Sequence, residues 1–144
     1  MASSKPFVLR VIFSDFFWQP TDYQLFMNDK NIEFQTIDWT KITSTEHKGD
    51  NGMAFWQTLQ YDGLRVRIVE YTADYTADHW CQKGHIVHCL EGEFTSEMED
   101  GTKHHLTKGM TYIVSDDLSS HRSVTGTEGV KLLIVDGDFL KLKE

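Results

Sequence analysis

The chain has 144 residues, 22 of them acidic and 14 lysine or arginine, for a formal net charge of −8. That length suits one domain with a single core and excludes two. The acidic balance, with no basic run to offset it, makes nucleic acid an unfavourable partner. Two cysteines, Cys81 and Cys89, are too few for the disulfide framework of a small secreted domain, so a reducing compartment, the cytoplasm, is expected. The apolar run over residues 7–18 is broken by Arg10 and Asp15, and neither a signal peptide nor a membrane span is expected there.

Residues 7–13 alternate as a strand would, with Phe7, Leu9, Val11 and Phe13 on one side. Pro20-Thr21-Asp22 then introduces a helix of about two turns over 23–30. These elements are expected to form an N-terminal arm or added strand, residues 1–30, ahead of a single domain at 31–144. Phe16, Phe17 and Trp18 on that arm need a partner surface, either the domain itself or a second subunit.

From residue 32 onward the pattern is that of strands. One is expected at 32–37, followed by a polar loop at 44–52. Strands at 53–60 and 64–72 are joined by Tyr61-Asp62-Gly63, a hairpin signal because Asp-Gly tolerates the positive φ values of a tight turn. On the second of these strands Arg65, Arg67, Val69 and Tyr71 share a face. Such arginines bind a substrate carboxylate if the face lines a cavity, and form inter-strand ion pairs if it does not.

The stretch Asp78-His79-Trp80-Cys81-Gln82-Lys83-Gly84-His85 is the chemical centre of the chain. In an extended strand His79 and Cys81 point the same way and Trp80 the other, where it would act as a packing wedge. Gly84 allows a turn into a strand at 85–91, which brings His85 in as a third donor. With His85 inward, Val87 and Cys89 face inward too. Cys89 then reads as a small buried apolar residue and His88 as a poor candidate ligand. Strands at 94–99 and 102–106 flank the turn Asp100-Gly101, and Lys108-Gly109 leads into a strand at 110–114, where Met110, Tyr112 and Val114 share a face. Tyr112 joins Arg67 as a candidate substrate contact. His121, in Ser119-Ser120-His121-Arg122, is the candidate fourth donor, and the last strand is expected at 130–136. Short strands separated by turn signals, with no long amphipathic helix, indicate an all-β sandwich or barrel. Imidazole and thiolate donors select a divalent transition metal, zinc, iron or nickel, over magnesium or calcium. Asp78 and Glu91 are candidate acceptors for imidazole N–H groups.

His79-x-Cys81-x3-His85-x6-Gly92 resembles the first motif of the cupin superfamily, with Cys81 where that family has its second histidine and His85 where it has glutamate. A second motif starts at Gly109, with Ser115 and Asp117 in place of the usual Pro and Gly, and His121 falls one residue late. The resemblance extends over about residues 32–136 and is greatest to the small single-domain DHCW-motif cupin fold proteins, whose label echoes Asp78-His79-Trp80-Cys81 in a different order. It implies a double-stranded β-helix, or jelly-roll barrel, with a metal held by His79, Cys81, His85 and His121. The chemistries of that superfamily include those of dioxygenases, isomerases and decarboxylases. If Cys81 does not ligate, the three histidines resemble the site of a thiol dioxygenase; if it does, zinc and non-redox work are favoured. A metal-dependent enzyme of dioxygenase, isomerase or hydrolytic type, a binding or sensing module with a structural metal, and a metal-free scaffold all stay open. The expected partners are a small-molecule ligand and a second copy in a homodimer, as small cupins commonly pair.

Overall fold

The computed structural model of the chain describes residues 31–144. The expected strand at 7–13 and helix at 23–30 lie outside the described residues, and all that follows concerns the unit Phe34–Glu144. Eight strands run through it: β1 (Thr45–Lys48), β2 (Met53–Tyr61), β3 (Leu64–Tyr71), β4 (His85–Met98), β5 (Lys103–Thr107), β6 (Thr111–Val114), β7 (His121–Val124) and β8 (Val130–Gly137). Every pairing between them is antiparallel. The all-β expectation therefore holds.

The hairpin between β2 and β3 turns on Asp62-Gly63, but only Gly63 takes a positive φ, 62°. Strand order runs β1-β2-β3-β8-β4-β5, with β6 and β7 attached to β4. β4 organises the fold because it serves two sheets. Its first half pairs with β8 and β6, and its second half pairs with β5 and β7. The change of sheet occurs at a register shift between Cys89 and Glu91, next to Gly92 at φ 76°. A bulge bends a strand in this way, and a Cβ at position 92 would run into the carbonyl oxygen of Gly129. The two expected strands at 85–91 and 94–99 are thus one bent strand. The expected closed ring is not formed: among the described strands the path of hydrogen bonds ends at β1 on one side and β5 on the other. Two layers, joined by the bend in β4, replace it.

Alternation puts the core between the layers. Val87, Cys89 and Phe94 of β4, Val130, Leu132 and Ile134 of β8, Val69 of β3 and Leu106 of β5 form one buried cluster, with Trp56, Tyr71 and Tyr112 packed on its edge. Cys89 is fully buried, as expected of a small apolar residue. Both cysteines are free thiols.

Three local expectations need correction. Residues 32–37 are irregular and mostly exposed, because no strand edge pairs with them; Asp38 then caps a short 3-10 turn at Trp39–Lys41. The loop expected at 44–52 contains β1, an edge strand whose Thr-Glu-His-Lys sequence is polar because it buries almost nothing. The segment carrying His79 and Cys81 is not a regular strand. In place of a ladder it has isolated bridges to the second layer at Thr76 and Cys81. No helix among the described residues is long and apolar enough to cross a membrane.

Candidate metal centre

Cys81 and His121 meet because their backbones are bridged. Cys81 N–H donates to the His121 carbonyl at 2.7 Å, and His121 N–H donates to the Cys81 carbonyl at 3.0 Å. Three residues later Gly84 passes so close to the 114–116 backbone that a Cβ would lie 2.6 Å from the Asp116 nitrogen, and its own N–H donates to Asp116 Oδ1 at 2.6 Å. Gly84 is needed for this close approach, and its φ is not positive. The anchored chain then enters β4 with His85 facing inward.

The result is a compact donor group: one ligand atom from each of Cys81, His85 and His121, all within 4.8 Å of one another. Cys81 Sγ lies 3.4 Å from His85 Nε2. Sulfur and nitrogen ligands at zinc bond lengths on a tetrahedral ion would be separated by about 3.6 Å, so this pair is spaced for a shared ion. Each imidazole is steadied by a hydrogen bond to its other nitrogen. His85 Nδ1 is 3.2 Å from Asp136 Oδ2, and His121 Nδ1 is 2.8 Å from Ser119 Oγ. An acceptor at Nδ1 leaves the Nε2 lone pair of His85 directed at the ligand position, the tautomer a metal requires.

The electrostatics fit that role. Burial opposes ionisation of the Cys81 thiol, but hydrogen bonds from His121 and His85, and the charge on His85, bring it down to about 5. Burial alone would depress His85; the hydrogen bonds to Asp136 and Cys81 outweigh it and hold the imidazole above its ordinary value. Each net effect favours the charged form of its group.

His79 stands apart from the three. Its ring is largely exposed, its Nδ1 lies 2.6 Å from Asp78 Oδ1, and it lines the cavity without joining the donor group. The cause is the irregular backbone at 77–84, which removes the common strand face expected for His79 and Cys81. Asp78 does accept from an imidazole, whereas Glu91 is exposed and away from these rings. Trp80 is no wedge: it lies at the surface, with the Arg122 guanidinium 4.6 Å above its ring.

Beside the donors opens a cavity of about 410 Å³, whose walls include Arg67, Tyr71, Tyr112 and Ile134. Arg67 and Tyr112 both line the cavity. Strand register builds the polar end. Arg65 pairs with Asp136 across β3 and β8, and His85 lies one residue beyond the Ile86–Val135 pair on the other side of β8. Arg65 grips Asp136 through Nε at 3.0 Å and Nη2 at 3.1 Å; Arg67 Nη2 adds a contact at 2.8 Å.

No family model and no curated protein matches the sequence. Solved structures do match the fold. A predicted oxalate decarboxylase from Thermotoga maritima aligns at TM-score 0.62 and 13% identity, over 72% of this chain and 98% of its own. A cupin-like protein from the same organism aligns at TM-score 0.58 and 15% identity, over 71% of this chain and 84% of its own. This chain has a cupin fold. The ectoine synthase of P. lautus, at TM-score 0.58 and 16% identity, covers 76% of this chain and 80% of its own. These identities carry the architecture only. Within the cupin fold the donor group spans the two layers, with His85 on the first and Cys81 and His121 on the second.

Sequence reasoning passed over Asp136 and Ser119. Asp136 had a readable signal: Val130, Leu132, Ile134 and Asp136 occupy alternate positions of β8 and all are buried. An acid on an otherwise apolar inward face needs a buried cation. Ser119 had no such signal, since its role depends on how a loop folds.

Proposed function

We propose that the chain is a metal-binding cupin in which Cys81, His85 and His121 hold a divalent transition ion at the wall of a small-molecule cavity. The observation that carries this reading is the convergence of three donors, two of them with their second nitrogen anchored, on one side of an open space. Three protein ligands leave one position of a tetrahedral ion for water or substrate, the arrangement of catalytic rather than structural sites. A thiolate among the ligands favours zinc over iron or nickel and Lewis-acid over redox chemistry. When bound, such an ion polarises a carbonyl or lowers the pKa of water. The chain's own residues fix its ligands, with Asp136 holding the His85 tautomer and Arg67 and Tyr112 facing the substrate space. We therefore favour a metal-dependent enzyme of hydrolytic or isomerase type. Asp78-His79-Trp80-Cys81 supports a kinship with the DHCW-motif cupins, and we take it to be a cytoplasmic homodimer.

His79 supports a second reading. It lines the same cavity, and as a fourth ligand it would close the coordination sphere of a binding or sensing module. Metal analysis of purified protein separates these readings. His85→Ala and His121→Ala are expected to lose most of the bound metal, because removing a ligand costs more than the roughly 10–100-fold typical of an outer-sphere partner. His79→Ala is expected to keep it. Loss of metal from His79→Ala alone would favour the closed site, and full retention by His85→Ala would refute both.

A further inference from the structure

The four cations along the cavity wall, Arg65, Arg67, Lys83 and Arg122, are faced by no aspartate or glutamate in the cavity lining, although the chain as a whole carries −8. Their partners lie behind the wall. Lys83 is paired with Asp116, and Arg122 shares Glu97 with Lys103. Arg65 and Arg67 likewise share one carboxylate, that of Asp136, and differ in burial: the Arg67 side chain is 5% exposed, against 29% for Arg122. Arg65 takes that carboxylate as a two-point fork, so one negative charge serves two guanidinium groups. Arg67 is only 4% exposed and makes a single hydrogen bond among the described residues, from Nη2; its buried Nε has no partner. Trp56, whose ring lies 4.6 Å from the Arg67 guanidinium and which also lines the cavity, has a buried and unpartnered Nε1.

A buried cation with a shared counter-charge and an unpaired donor is costly to leave in that state, about 1–3 kcal/mol for the donor alone. A planar anion that matches the guanidinium fork answers both deficits. Aromatic and apolar side chains supply the rest of the wall, chiefly Trp56, Tyr71, Tyr75, Tyr112 and Ile134, and the cavity falls in the range of about 300–1,000 Å³ usual for small organic ligands.

We infer that the cavity takes a small organic acid with an apolar or aromatic body, its carboxylate held by Arg67 and its body lying among Trp56, Tyr71 and Tyr112, beside the Cys81-His85-His121 group. This names the substrate class for the metal site proposed above and rests on that reading for what happens next. The carboxylate contact itself belongs to Arg67 and needs no metal.

That separation sets the experiment. The full chain is titrated with benzoate, benzamide and benzylamine, once loaded with zinc and once after chelation, following tryptophan fluorescence and ligand-observed saturation-transfer NMR. Benzoate is expected to bind both forms at least about tenfold more tightly than either of the other two, a difference of about 1.4 kcal/mol. Arg67→Gln is expected to erase that preference. If the variant does not fold, the ranking of the three probes on the unaltered protein still decides. Benzamide or benzylamine binding as well as benzoate would overturn the inference, as would the failure of all three at millimolar concentration. Benzoate binding to the zinc form alone would also overturn it, because the carboxylate would then be a metal ligand. Selective benzoate binding by a protein that takes up no zinc would uphold the carboxylate site and refute the metal reading.

Discussion

Asp136→Asn is expected to cost the fold about 3–5 kcal/mol, the loss typical when one partner of a buried ion pair is removed. The carboxylate is 3% exposed at its side chain and is shared by Arg65, Arg67 and His85. An amide keeps the shape but cannot neutralise Arg67, which stays buried with its charge uncompensated. Arg65, at 31% side-chain exposure, can turn to solvent, so most of the cost falls on Arg67. Urea denaturation at neutral pH measures this directly. A change below about 1 kcal/mol would mean that the ion pair contributes no more than an exposed one. The acid limb carries a second signature. Burial would raise the Asp136 pKa, but the His85 and Arg65 hydrogen bonds and the charges of both arginines hold the carboxyl well below its usual range. A group depressed on folding stabilises fully above its unfolded value, about 3.9, and that contribution is lost as pH falls through the folded one. Wild-type stability is therefore expected to fall more steeply with acid than that of Asp136→Asn.

The thiol of Cys81 is expected to ionise at about pH 5 in metal-free protein, well below the ordinary 9.0. Thiolate absorbance at 240 nm should show one step there. Cys89, raised by burial and by Glu93, gives no acid-side step. Cys81→Ser should abolish the step and His85→Ala should move it upward, because His85 lends both a hydrogen bond and a charge. A first step above about pH 8, the range of an ordinary free thiol, would show that the imidazoles do not act on Cys81. The consequence for metal uptake follows in sign. Ligands bind deprotonated, and Cys81 is already thiolate at neutrality. The proton left to displace is on His85, held above its ordinary value of 6.5. Metal affinity is therefore expected to rise with pH until His85, whose value lies above the ordinary 6.5, has lost its proton, and to level off beyond that.

What the chain revealed in advance, and what it withheld, divides along physical lines. β2 and β3 were legible from the Asp62-Gly63 turn between them, and β8 from an alternation that buries one face. Alternation hid β1, which buries little, and it produced a strand over His79 and Cys81 where bridges to β7 and Asn51 take the place of a ladder. Without that strand the common face of His79 and Cys81 is lost, and His79 lies outside the group formed by Cys81, His85 and His121. Cys81, His85 and His121 were legible as donors because their chemistry is rare, but their convergence depends on the Cys81–His121 bridge and the tight passage of Gly84, both of them contacts distant in sequence. Asp136 was legible in principle, as an acid on the buried side of β8. Arg67 was read as a face residue near a cavity; its shared counter-ion and unpaired Nε required coordinates.

The account depends most on the ion itself. Crystals of protein purified without added metal, measured across the zinc, nickel and iron absorption edges, test it most directly. The expected result is one anomalous peak, strongest at the zinc edge, at about 2.0–2.3 Å from Cys81 Sγ and from one nitrogen each of His85 and His121, with His79 beyond bonding distance. Absence of any peak between those side chains in crystals grown with zinc present, with Cys81 still hydrogen-bonded to both imidazoles, would contradict it.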